Sequence, residues 1–187
     1  MHSDTLCNKG CVYTFIMNRP SETDKNITEG LYRFKAPKSG NIYLIRVEKH
    51  PNNFYVVKFH LKNHQFVKYK YNVLTKHGEA SRIIHTCIKV MLDIAKKDEC
   101  SSFGFIGANT VSEDYIENEA ETKRFKTYKY VMITYFSEKA FKHKVISGKS
   151  TYLMIRKSEF EKNQNLTTEI ESYLADFYSD ATSIHIE

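Results

Sequence analysis

The chain has 187 residues, 41% hydrophobic and 27% charged, with 12 Phe and 13 Tyr against seven Gly and three Pro; this balance excludes a disordered or low-complexity protein and suits one well-filled core. No run approaches the roughly 20 apolar residues of a membrane span, and the first residues, MHSDTLCNKG, lack the basic-then-apolar pattern of a secretory signal, so a cytoplasmic protein with no membrane partner is expected. The formal charge of +6 is uneven: residues 160–187 hold six acids and one base, a net of −5, which leaves +11 on residues 1–159.

A basic body attracts nucleic acid, nucleotides or acidic proteins, and an acidic tail can fold back onto it. The organisation expected is one domain over residues 1–159 and an acidic tail over 160–187. Cys7, Cys11, Cys87 and Cys100 are too scattered for a disulfide framework. Cys7 and Cys11 make half a zinc site at most, so no metal is expected.

In chain order, a strand is predicted at Cys11–Met17 and a weaker one at Leu31–Lys35, around the polar linker NRPSETDKNITEG. Three segments of period two follow, Asn41–His50, Asn53–Lys62 and Gln65–Thr75, joined by short polar links that read as an antiparallel meander. From Glu79 to Lys97 the period becomes helical, with Ile84, Cys87, Ile88, Met91, Ile94 and Ala95 on one face. The nearly all-apolar Ser102–Gly107 reads as an inner strand. A second helix is predicted at Thr122–Phe136, a strand at Thr151–Arg156 and an amphipathic tail helix at Leu166–Tyr178. The fold class is α+β: a mixed, mostly antiparallel central sheet of six to seven strands flanked by helices.

Three antiparallel strands, a helix, a strand, a helix and a terminal strand in this order resemble the GNAT family of N-acetyltransferases, over about residues 11–157. In that family the fourth strand splays from the fifth, acyl-CoA lies in the gap, and its pyrophosphate rests on backbone N–H groups at the start of the next helix. The family motif there is Gln or Arg, two residues, Gly, one residue, then Gly or Ala. The turn LTKHGEA, Leu74, Thr75, Lys76, His77, Gly78, Glu79 and Ala80, supplies the Gly and the Ala, with Thr75 in the Gln or Arg place. Small residues let backbone donors approach a phosphate at a helix N-terminus. Gly78 making the turn and Glu79 favouring the first helical turn is the alternative. Asn109 and Tyr128 stand where the family has an Asn after the fifth strand and a Tyr that protonates the departing thiolate; core packing is the alternative for Tyr128.

The resemblance implies acetyl-CoA or another acyl-CoA as donor and an amine, small-molecule or protein, as acceptor. A general base has to lie within hydrogen-bond reach of that amine. Glu48 and His60, with His64, are the strand or strand-end candidates. The helices that the family places between its first two strands have no counterpart in 18–40.

Alternation puts Tyr43, Ile45, Val47, Tyr55, Val57, Phe59, Val67, Tyr69, Tyr71 and Val73 on a core side of the meander and Arg46, Lys58, His60, Lys62, Lys68 and Lys70 on the other. That second side is expected to be open and basic. It supports the other functional reading, a non-catalytic protein that binds nucleic acid or an acidic protein there. Lysines solvating a wet sheet face is the plain alternative. The tail helix, with Glu169, Glu171 and Asp176 opposite its apolar stripe, is expected to dock in cis or on a second subunit of a homodimer.

Overall fold

A computed structural model of the protein describes residues 9–67, 70–72, 78–108, 111–112, 115–118, 120–146 and 150–178. Four strands open the chain: β1 (Tyr13–Pro20), β2 (Thr28–Lys35), β3 (Ile42–His50) and β4 (Phe54–Leu61). They pair consecutively and antiparallel, as their short polar links require. A 3-10 turn (Lys62–His64) follows, and further on comes α1 (Ala80–Lys97). Then β5 (Ser102–Ile106) lies parallel to β4, as a crossover through a helix permits. Beyond it come the short pair β6 (Val111–Ser112) and β7 (Tyr115–Ile116), α2 (Lys123–Tyr135), the hairpin β8 (Phe141–Ile146) and β9 (Thr151–Arg156), α3 (Lys157–Lys162) and α4 (Leu166–Phe177). The main sheet has seven strands in the order β1-β2-β3-β4-β5-β9-β8, with only the β4–β5 contact parallel.

The sheet is covered on both faces. On one, α1 and α2 bury Ile84, Cys87, Ile88, Met91, Phe125, Val131 and Met132 against Ile45, Val47, Tyr55, Phe103, Phe105 and Tyr152. Side chains of this size contribute roughly 1.5–3 kcal/mol each on full burial. Thr122 caps α2 by accepting from Phe125 N–H at 3.2 Å, and Lys96 and Lys97 complement the dipole in the last turn of α1. On the other face α4 lays Leu166, Ile170 and Leu174 on Phe54, Val56, Leu153 and Ile155. The tail helix therefore docks in cis. Among the described residues no helix is long and apolar enough to cross a membrane.

Two sequence expectations are corrected. The described parts of Gln65–Thr75, residues 65–67 and 70–72, are turns rather than a third meander strand. β5 takes the outer edge of β4 at Phe54–Val56, and Val57–Leu61 pairs only with β3, so no described residue of that segment extends the ladder. The meander is thus β1 to β4, and it begins two strands earlier than the alternation suggested. The second correction concerns the side expected to be open and basic. Arg46 and His60 are each 2% exposed, and Lys58 is largely covered. Tyr71, assigned to the core side, packs instead edge-on against His60 on this second face.

Candidate functional site

The parallel ladder between β4 and β5 is short. Phe54, Tyr55 and Val56 pair with Ser102, Phe103 and Gly104, after which Val57–Leu61 pairs only with β3 and β5 continues against β9. Close approach at the last rung requires glycine, since a Cβ on Gly104 would stand 2.4 Å from Phe54 Cζ. Past that rung the strands diverge, and an aromatic cluster spans the divergence. Tyr128 of α2 packs on Phe105 of β5 at 4.4 Å and on Phe59 of β4 at 6.3 Å between ring centroids. Tyr128 is buried, and burial raises its phenol pKa well above the ordinary value. It keeps its proton near neutral pH.

The β2–β3 turn stands at the open end of this divergence, because Tyr43 pairs with Leu61. It meets the start of α1 there. Gly78 has φ +67°, a left-handed turn that delivers the chain into the helix, and a Cβ at that position would lie 3.6 Å from Lys38 Nζ. Glu79 precedes the first helical residue, but its side chain does not cap the helix. Its carboxylate instead accepts from the backbone N–H groups of Lys38 (2.8 Å) and Ser39 (3.2 Å). The carboxylate thus ties the β2–β3 turn to the start of the helix. Beside this junction is a cavity of about 930 Å³, lined among others by Lys9, Lys38, Arg82 and His85, with Tyr130 and Tyr135 of α2 on the far wall. Three cations, a helix N-terminus and an exposed aromatic ring can hold a phosphate-bearing ligand.

Of the residues expected to hold a donor, Gly78 and Glu79 line this cavity and Ala80 opens α1. Leu74, Thr75, Lys76, His77 and Asn109 lie outside the described residues. Lys38, Arg82 and Tyr130 were not singled out in the sequence. The hairpin that carries Lys38 was visible only as two strands, and Arg82 and Tyr130 fell on the polar sides of their helices.

Glu48 and His60 sit elsewhere, in a buried ionic network on the opposite face. Arg46 Nε donates to His60 Nε2 at 3.0 Å, and His60 Nδ1 donates to Leu61 O at 2.8 Å. Both ring nitrogens are thus engaged in the neutral form, and burial pushes the His60 pKa down to about 4. Arg46 also meets Glu29 at 3.2 Å and Glu22 at 2.7 Å. Glu48 accepts from Ser21 Oγ (2.6 Å), from Lys58 Nζ (2.6 Å) and from Tyr178 O–H. Burial alone would raise the Glu48 pKa, yet hydrogen bonding with His50 and the Lys58 charge hold it well below the carboxylate range.

Counting donors orients the rest of the network. Tyr178 gives its one proton to Glu48, so the N–H of His50 Nε2, 3.1 Å from the Tyr178 oxygen and 3.6 Å from Glu48, is shared between them, and His50 Nδ1 accepts from Tyr173 O–H at 3.1 Å. Lys58 lies 4.6 Å from the Tyr178 ring centroid and 5.9 Å from that of Tyr71. His64 is in the 3-10 turn after β4. No family model, no curated protein and no solved structure matches the chain.

Proposed function

We propose that the protein is an acyl-CoA-dependent N-acyltransferase of GNAT type that binds its donor along the β4–β5 divergence, with the phosphates at the start of α1. The observation that carries this reading is the parallel ladder that stops after Val56, with Tyr128 packed between the parted strands. Lys38 and Arg82 would meet the phosphates and Tyr130 would offer a stacking face to the base. Tyr128 would donate a hydrogen bond to the departing thiolate.

Glu48 and His60 lie in the network on the opposite face of the sheet from Tyr128 and are already bonded there, so neither serves as the base for an ammonium acceptor. An acceptor that arrives already neutral suits the site, and an α-amino group, with a pKa of about 8, is neutral far more often than a lysine at about 10.4.

Calorimetric titration with acetyl-CoA, together with thermal melting in its presence, tests the donor site. Binding and stabilisation are expected, with at least a tenfold loss of affinity in Arg82→Glu. Absence of binding at millimolar acetyl-CoA overturns the proposal.

A further inference from the structure

The cavity beside the start of α1 contains one side chain of a different chemistry from its neighbours. Lys9, Lys38 and Arg82 bring positive charge to its walls, and His85 stands among them, 8% exposed. His85 Nδ1 lies 2.6 Å from Ser81 O, one helical turn back, with Ser81 Oγ at 3.4 Å. A carbonyl only accepts, so Nδ1 carries the proton, and the lone pair of the neutral ring is on Nε2. Among the described residues Nε2 has no hydrogen-bond partner. Tyr135 of α2, on the facing wall, meets the imidazole edge-on at 5.5 Å between ring centroids. A buried ring of fixed tautomer thus presents an acceptor to a cavity otherwise rich in donors.

We infer that the cavity binds a phosphate of the donor together with one proton from solvent, which His85 Nε2 receives and then donates to a phosphate oxygen. This inference rests on the donor reading above. In the empty cavity the surrounding charges oppose an imidazolium: Lys9 from the residues before β1, Lys38 from the β2–β3 turn and Arg82 from the same helix. Lys89, four residues further along α1, adds to them, although its Nζ is engaged with Cys11 O at 3.1 Å. The acid on the wall, Glu79, accepts from the Lys38 and Ser39 N–H groups, and α2 contributes only the phenols of Tyr130 and Tyr135. An entering phosphate reverses this balance. Its negative charge favours the imidazolium, while an unprotonated Nε2 would set a lone pair against the phosphate oxygens. With the proton in place, Nε2–H joins the lysines and the arginine as a charge-assisted donor. A fourth lysine would be charged whether or not the ligand were present; His85 makes the charge conditional on it, so donor affinity rises as pH falls through the imidazole range.

Calorimetric titration of the full chain with acetyl-CoA at pH 7.5, in two buffers of different ionisation enthalpy, counts the protons taken up. About half a proton or more per donor is expected, and affinity about fivefold or more higher at pH 6.5 than at 8.5, the behaviour of an imidazole near 6.5 that gains an anionic neighbour. His85→Gln should abolish the uptake, whereas Lys38→Gln should weaken binding and keep it. Sulfate, which takes no proton in this range, probes the cavity without the donor. In an NMR titration of the histidine rings, the one signal missing from His85→Gln should shift its midpoint upward when sulfate is added. Donor binding without proton uptake, or with uptake that survives His85→Gln, overturns this inference and leaves the donor reading standing. A chain that ignores acetyl-CoA but whose His85 midpoint responds to sulfate keeps the proton-linked anion site and loses the donor. No response to either ligand overturns both.

Discussion

The two faces of the central sheet are built on different chemistry. Toward α1 and α2 the buried cluster is apolar, and Ile45, Ile88, Phe103 and Tyr152 are wholly withdrawn from water. Toward α4 the face divides: Phe54, Val56, Leu153 and Ile155 pack under the helix, while Glu29, Arg46, Glu48 and His60 are buried beside them. The first face is held by dispersion and the hydrophobic effect, which tolerate conservative exchange. The second is held partly by charges whose desolvation is repaid only while every partner stays in place. A period-two pattern reports which side a residue is on, and says nothing of whether that side is wet.

Removing one partner from the ionic half should therefore do the largest damage. Glu48→Gln leaves Lys58 buried without its counter-charge, and about 3–5 kcal/mol of stability should be lost in urea unfolding near neutral pH. Replacing both, as Glu48→Gln with Lys58→Met, should recover a large part of that loss. The single variant should also regain stability as pH rises. Burial lowers the Lys58 pKa in the folded protein, so the unfolded chain binds the extra proton and alkali favours the fold. If the double variant were no better than the single, the comparison between the faces would fail at this pair.

An intermediate effect is expected from acid. Burial brings His60 from 6.5 to about 4, helped by Arg46 and opposed by its bond to Leu61. Its folded pKa is depressed, so its contribution is complete above about pH 6.5 and is lost as pH falls toward 4. The size is on the order of 3 kcal/mol. Burial would raise Glu22, but hydrogen bonds from Lys70 and Arg46 bring it to about 2. Glu22 and the further depressed Glu48 therefore lose their contributions in a second window, from about pH 4.5 downward. Unfolding free energy measured from pH 8 to 3 should fall in both windows, and His60→Gln should flatten the upper one alone.

Much of the frame was legible because its signals are local. The stripe Ile84, Cys87, Ile88, Met91 specified α1, and FGFI between polar flanks specified β5. That the tail helix docks was legible in its charge and in Leu166, Ile170 and Leu174, but the choice of its own sheet over a second subunit was not. Three features lay beyond local pattern. Gln65–Thr75 alternates, but alternation reports only a face and not a neighbour, and the strand that joins the outer edge of β4 comes from 48 positions on. In β8 the alternation is diluted by Lys142 and Lys144, so its pairing with β9 decides the strand. Arg46 and Lys58 read as solvent-facing because the acids that neutralise them, Glu22, Glu29 and Glu48, come from other elements. For the site, Gly78 and Tyr128 could be named from the chain. Lys38 could not, since only the closure of the β2–β3 hairpin onto α1 brings it there.

The smallest effect tests the seam where the two chemistries meet. Tyr178 is buried with the apolar residues under α4, yet its hydroxyl joins His50 to Glu48. Tyr178→Phe keeps the ring and removes only the hydroxyl, while Glu48 retains Ser21 and Lys58. The expected cost is about 1–2 kcal/mol, below that of Glu48→Gln, because a donor to a charged group is lost but no charge is left unpaired. Tyr173→Phe removes one bond to His50 Nδ1 and should cost less still. Hydrogen exchange separates the possible consequences. If the network anchors α4, amides in 166–177 should exchange faster in Tyr178→Phe while those of α1 keep their protection. Equal acceleration in both helices would mean that the ionic half stabilises the whole sheet rather than the attachment of its last helix.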